Sequence, residues 1–508
     1  MNQLREHDKQ YDLEKIQKLK KQQIISYVPG KKTQVKKKPN KKTMKKATKK
    51  ANRKTGGGEN DEKTEDKSLE PKKEMVASKK ISDFMLKNKS KITLNFLKTI
   101  CSDSGMCISF GTEVNKINKF FDNFINFNYA VSPIKTIGKV SLNGFVKEIK
   151  YSRNGYDSYA VLKSAANVSA DNLMYEYQVG IDFINTQNKI FSCFLETYGL
   201  FFYDDDKKWG DSKFKKNMDA EELLDGLTAL HKVDYSVGCS QSKYLAVLIQ
   251  HINGAKSLND FMKETFLNPD KNEKSFVANY ELFNLLYQVY MPLSTLAQAF
   301  THHDLHTNNV LLYEPIKGSY ITYHYHLKSR ITIIVKSKYI VKIIDYGRNY
   351  FKNNLINSKD VYKEVCNTPE CNPDCGKLKG FINLAPEKTP GSAHYNSVQQ
   401  RNISADLRLL YLIDKEYLKR FRITILPQVT SFYSSVVFDG PYGTPEIIFP
   451  PTPLQRKICN VKNACQALQN IIYSSSFQTE NDNYYDKLNK IGDFHIYEDG
   501  RPMTFTKS

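Results

Sequence analysis

Apolar positions along this chain switch between helical and strand spacing, and each switch predicts an element. From Ile81 to Phe127 they recur at mostly helical spacing, with Phe84, Leu86, Leu94, Leu97 and Ile100 among them, so a helical lead-in is expected over residues 81–130. From Ile137 to Lys163 the pattern turns to alternation, as in Phe145-Val146-Lys147-Glu148-Ile149 and Tyr159-Ala160-Val161-Leu162-Lys163, which predicts strands with one buried face. Helical spacing returns at Leu282, Leu285, Leu286, Val289, Leu293, Leu296 and Phe300, so a helix should end just before His302. Val310-Leu311-Leu312 and the run from Tyr339 to Ile344 read as short buried strands, and Tyr320 to His326 with Ile331 to Val335 as a further strand pair. Polar side chains from Asn284 to Gln298 interrupt the most apolar long stretch, Leu282 to Phe300, so it does not read as a membrane span.

Charge separates the beginning of the chain from the rest. Residues 1–80 hold 25 Lys/Arg against 11 Asp/Glu, a net +14 of the whole chain's +21, leaving +7 for the other 428 residues. Between Lys31 and Lys54 there are 13 basic residues and no acidic one, with almost no bulky apolar side chain to bury. Such a stretch cannot offset its ordering entropy, which predicts a disordered basic tail over 1–80. It is either a solvated arm or, through residues 31–54, a contact for a polyanion such as nucleic acid or an acidic membrane surface, or a nuclear-import signal. With 508 residues the chain is long enough for one large two-lobed domain besides that tail. Nine cysteines and no charged-then-apolar leader point to a soluble protein of a reducing intracellular compartment. Richness in Lys, Asn, Ile and Tyr is what an AT-rich genome encodes.

The chemistry concentrates in two segments. The loop His302-His303-Asp304-Leu305-His306-Thr307-Asn308-Asn309 follows the apolar helix, and Asp345-Tyr346-Gly347 closes the strand from Tyr339. Phosphoryl transfer needs metal ions held against phosphates, a cation on the phosphate oxygens and a carboxylate orienting the attacking hydroxyl. Asp304 on its turn can orient a hydroxyl, and the Asn309 amide oxygen and the Asp345 carboxylate are hard donors that suit magnesium.

Together the segments resemble the protein kinase pattern His-Arg-Asp-Leu-x-x-x-Asn followed by Asp-Phe-Gly. The resemblance covers about residues 130–420 and implies an α+β bilobal fold with a small antiparallel-sheet N-lobe and a mainly helical C-lobe. It implies an N-lobe over 131–249 carrying an insertion near 202–242, and a C-lobe with a C-terminal extension over 250–508. The activity implied is transfer of the ATP γ-phosphate to Ser or Thr hydroxyls of a protein substrate, with ATP and Mg2+ as cofactors. Lys163 would lie on the phosphates and Glu176 would aim it. Gly144 and Val146 align with the phosphate-covering loop, Gln250 to Ile252 with the hinge that bonds adenine, and Asp406 with the residue bracing the catalytic loop.

The sequence also departs from that pattern. Lys139 and Ser141 stand where the loop's other glycines would be, which weakens nucleotide approach and leaves open a pseudokinase scaffold tethered to a polyanion. A small-molecule phosphotransferase is the other alternative, because such enzymes share an Asp-x-x-x-x-Asn loop. His303 replaces the arginine that pairs with a phosphorylated activation loop, so regulation of that kind is not expected. His306 replaces the usual lysine, and Asp-Leu-His-x-x-Asn resembles kinases of large nucleocytoplasmic DNA viruses, for which host cytoplasm or virion would be the place. Cys366, Cys371 and Cys375 are a poor zinc pattern without a fourth ligand. Ala385-Pro386-Glu387 suits the end of an activation loop better than Gly443-Thr444-Pro445-Glu446 does.

Overall fold

The chain enters its described part as a hairpin rather than a helix. The computed structural model describes residues 99–102, 105–138, 140, 144–167, 173–230, 242–365, 379–382, 394–438 and 457–508, all within one compact unit, Ser82–Ser508. The expected tail over 1–80, the Cys366, Cys371 and Cys375 group, Ala385-Pro386-Glu387 and Gly443-Thr444-Pro445-Glu446 lie outside these residues. β1 (Ile100–Cys101) pairs antiparallel with β2 (Cys107–Ile108), and a disulfide joins Cys101 to Cys107. In the described part of 81–130 the α-helix is α1 (Val114–Phe120) alone, which corrects the helical lead-in from residue 99 on; Phe84, Leu86, Leu94 and Leu97 lie outside the described residues. The turn-forming run Ser102-Asp103-Ser104-Gly105 sits between two apolar pairs, a hairpin signal that outweighs the helical spacing. After α1 the backbone turns back at Asp122, Asn123, Phe124 and Phe127, all with positive φ, and buries Phe121 and Phe124.

The alternating stretch becomes β3 (Ala130–Ile137), β4 (Gly144–Arg153) and β5 (Tyr156–Ala165), followed by α2 (Leu173–Val179) and β6 (Thr197–Tyr203). The expected insertion is then woven into the same sheet as α3 (Asp206–Phe214), β7 (Asn217–Met218), α4 (Ala220–Leu224) and β8 (Leu227–Ala229), before β9 (Leu245–His251). All pairs are antiparallel and the order is β7-β3-β4-β5-β9-β6-β8, so the insertion supplies both edge strands. A flat sheet of that order would hold its edges about 29 Å apart at ~4.8 Å per strand. The connection from Met218 to Leu227, helical for five residues, reaches about 22 Å. The sheet is therefore curled. Its concave side encloses one apolar cluster with Phe124, Phe145, Ile149, Leu162, Met218, Leu223 and Leu248. The other side, carrying Val161 and the half-buried Val146 and Lys163, faces the second cluster.

That second core is built round α6. Ser257 closes β10 (Lys256–Ser257) and caps α5 (Leu258–Leu267), its hydroxyl accepting the Asp260 N–H at 3.1 Å. Helix α6 (Leu282–Thr295) is buried from Leu282 to Leu293 but ends short of the expected Phe300, which instead opens β11 (Phe300–Thr301) ahead of His302. β12 (Val310–Tyr313), β13 (Ser319–His326), β14 (Thr332–Ser337) and β15 (Ile340–Ile343) follow, and β11 pairs with β16 (Tyr350–Phe351). β10, β12 and β15 make a small sheet, and β13 with β14 is the expected strand pair. Next come α7 (Ser358–Val365), β17 (Lys379–Ile382) paired with β18 (His394–Ser397), and a 3-10 turn Ala405–Leu407 that runs into α8 (Arg408–Leu412). α9 (Pro427–Ser435), α10 (Val461–Ile472) and α11 (Ser475–Tyr485) pack beneath. The C-terminal extension is not wholly helical. It ends in β19 (Asn489–Tyr497), parallel to β13, and β20 (Thr504–Lys507). Phe494 and Ile496 alternate with His495 and Tyr497 there, a strand pattern whose apolar side covers the core. No helix among the described residues is long and apolar enough to cross a membrane.

Candidate active site

A buried carboxylate holds the loop that begins at His302. Asp406, in the 3-10 turn before α8, accepts the His302 N–H on Oδ2 and the His303 N–H on Oδ1, each at 2.9 Å. Burial pushes Asp406 up to about 7, opposed by those two amide donors. His303 takes a positive φ of 63°, a strained backbone that two such bonds can enforce. Burial lowers His302 and His303 to about 4, so both rings are neutral near pH 7. Their acceptors fix the tautomers: Nε2 of His302 donates to the Ile344 carbonyl at 3.0 Å and Nε2 of His303 to the Gln400 carbonyl at 2.9 Å. His302 thereby ties the loop to the end of β15.

Asp304 is bonded on both oxygens. The Arg348 guanidinium donates to Oδ2, and Arg408 donates to Oδ1 at 2.7 Å. His306 stands 3.7 Å from Oδ1, its pKa lowered by burial although Asp304 opposes this. The Asn309 amide nitrogen donates to the Asp304 carbonyl at 3.0 Å, which fixes the orientation of its amide. Val310 pairs with Ile343 across β12 and β15, and the Ile344 N–H donates to the Asn309 carbonyl at 3.0 Å. The register thus sets Asn309 and Asp345 at the same end of two adjacent strands.

Asp345 itself has φ 70°, left-handed, and its side chain is 33% exposed. Burial pushes its carboxyl up, but the cations of Lys163 and Arg348 outweigh this and hold it well below the usual carboxylate range. The Lys163 ammonium bonds Asp345 Oδ1 at 2.8 Å and Glu176 Oε2 at 2.7 Å, joining β5, α2 and the end of β15. Tyr346 anchors the triplet. Its hydroxyl donates to the Ile343 carbonyl at 2.7 Å and accepts the Leu195 N–H at 3.0 Å. Tyr175 on α2 donates to the Asn349 carbonyl at 2.6 Å, so the helix bearing Glu176 is also tied to the segment after Gly347.

Lys163 is thus ion-paired directly with Glu176 and Asp345, while Asp304 is ion-paired with Arg348, whose charge also acts on Asp345. The remaining expected residues sit less directly. Val146 is the register partner of Lys163 on β4, on the same face of the sheet. Gly144 starts β4, where an added Cβ would lie 2.6 Å from the Ser164 carbonyl oxygen, so close strand approach already requires glycine there. Gln250 is within β9 and gives its N–H to the Glu196 carbonyl at 2.8 Å, and Ile252 is buried with its carbonyl accepting from Ala255. Sequence reasoning did not assign roles to Arg348, Arg408, Tyr346 or Tyr175. Arg348 directly follows Asp345-Tyr346-Gly347, the one local signal available.

Among the described residues no three His, Cys, Asp or Glu side chains gather to cage a metal. Asn309 and Asp345 bring oxygen donors to the same end of two adjacent strands, the donor type that suits magnesium, an ion that keeps waters and phosphate oxygens in most of its positions. No protein-family model matches the chain, and no curated protein matches it significantly.

Proposed function

We propose that the chain is an ATP-dependent Ser/Thr protein kinase with a bilobal kinase-like fold, its small lobe the curled sheet and its large lobe the part built round α6. The observation that carries this reading is the Lys163 ammonium bonded at once to Glu176 and Asp345, 182 residues apart in sequence from the latter. Three segments chosen for phosphoryl-transfer chemistry meet at one cation, as that chemistry requires. Magnesium bound with ATP would supply charge neutralisation at the phosphates, and Asn309 and Asp345 would hold it. Lys163, aimed by Glu176, would lie on the phosphate oxygens. Asp304 would orient the acceptor hydroxyl, whose oxygen forms the new bond to the γ-phosphorus as the bond to the ADP oxygen breaks; the hydroxyl proton leaves toward Asp304.

The assembled ion pairs favour this over a pseudokinase scaffold, while the resemblance to viral kinases stays with the sequence. The test is radiolabelled phosphate transfer from ATP to basic and acidic proteins and to a panel of small alcohols. Transfer to protein is expected. Labelling of a small alcohol alone would point to the phosphotransferase alternative. Asp304→Asn should remove most turnover with nucleotide binding nearly intact, and comparable rates would overturn the role of Asp304. Asp345→Ala should abolish the tightening of ATP by magnesium, and equal tightening would remove Asp345 as ligand.

A further inference from the structure

The Asp304 carboxylate is pinned from two directions by residues that no motif contains. Arg408 reaches Oδ1 from the first turn of α8, two residues after Asp406, which already holds the main chain of His302 and His303. Arg348 reaches Oδ2 from the end of the 3-10 turn Tyr346–Arg348, three residues after Asp345. One turn of chain therefore fixes both the backbone before Asp304 and its side chain, and the second guanidinium comes from the segment that carries Asp345. The terminal torsion of an aspartate is broad and roughly two-fold. Rotating it here would break both ion pairs together. Each pair is nearly buried, with side-chain exposures of 11%, 10% and 6% for Arg348, Arg408 and Asp304, so solvent offers little replacement.

We infer that Arg408, acting with Arg348, is a positioning residue that sets the rotamer of Asp304 for an acceptor hydroxyl. The inference rests on the kinase reading above and extends it to residues outside the motif. A hydroxyl must meet the carboxylate within about 2.6–3.2 Å, and a misplacement of about 1 Å can cost about 100-fold in rate. An unclamped carboxylate would keep the fold and the nucleotide contacts and lose that alignment.

The full chain, first assayed as wild type, is compared with Arg408→Gln and Arg408→Lys. Arg408→Gln should lower kcat by about 10- to 100-fold with the KM for ATP within about threefold. Arg408→Lys keeps a cation without the planar fork, so kcat should recover only in part. If Arg408→Gln does not fold, Arg348→Gln on the opposite oxygen is read the same way. An unchanged kcat in an active wild-type background would overturn the inference. So would a fall in kcat matched by an equal loss of ATP affinity and of thermal stability. Absence of transfer by the wild type would instead remove the kinase reading, and this inference with it.

Discussion

At the scale of single residues, hydroxyls and guanidiniums decide how firmly the candidate site is held. Tyr346 is the clearest case: it is 1% exposed and its hydroxyl serves both the Leu195 N–H and the Ile343 carbonyl. Tyr346→Phe would keep the ring packing and leave a buried donor unsatisfied, so it should cost about 1–3 kcal/mol in a urea unfolding titration. A change below a few tenths would mean that water replaces the hydroxyl. The motif residues were legible because their chemistry demands fixed local spacing: Asp304 to Asn309, and Asp345 beside Gly347. Arg348 and Arg408 were not, since each meets Asp304 across 44 and 104 residues and ion pairs over such separations leave no period in the sequence.

At the scale of elements, the alternation over 145–149 and 159–163 falls inside β4 and β5, because one face of each is buried and a slip would reverse it. The short strands β7 and β8 carry too few residues to show a period, so the stretch that contains them read as an insertion although it supplies both edges of the sheet. β19 carries an unusual load. His495 stacks on His324 at 4.7 Å and on His326 at 5.4 Å, and Nε2 of His326 lies 3.1 Å from Nδ1 of His495, while His324 bonds Asp493 at 2.7 Å. Lys490 and Arg501 are the cations facing this group, and Asp493 and Asp499 the anions. Burial first, then the neighbouring imidazoles, lowers the pKa of His326 and of His495. A folded value below the unfolded ~6.5 means that the unfolded chain binds more protons in acid. This contribution is therefore neutral above about pH 6.5 and destabilising as pH falls below it. Melting temperature measured from pH 7.5 downward should drop, and the doubly substituted His326→Gln, His495→Gln chain should drop less steeply. Parallel curves would show that this cluster does not govern the acid response.

At the scale of the whole molecule, the charge of the chain and its chemistry belong to different stretches of sequence. Every residue of the candidate site lies between Gly144 and Arg408, whereas residues 1–80 carry +14 of the net +21. That leading stretch is poor in large apolar side chains where its lysines are densest, which leaves it little to bury in a core. Deleting residues 1–80 should accordingly preserve transfer of phosphate to a small peptide. Binding to a polyanion should respond in the opposite way, because each phosphate neutralised by a lysine releases counterions and adds about 0.9 to the slope of log affinity against log salt on duplex DNA. The full-length and shortened chains are titrated on the same duplex, and on acidic vesicles, over a range of salt. A much shallower slope for the shortened chain is expected. An unchanged slope would place the electrostatic footprint on the remaining residues, whose net charge is only +7, and a shortened chain that no longer labels the peptide would mean that part of residues 1–80 belongs to the folded enzyme.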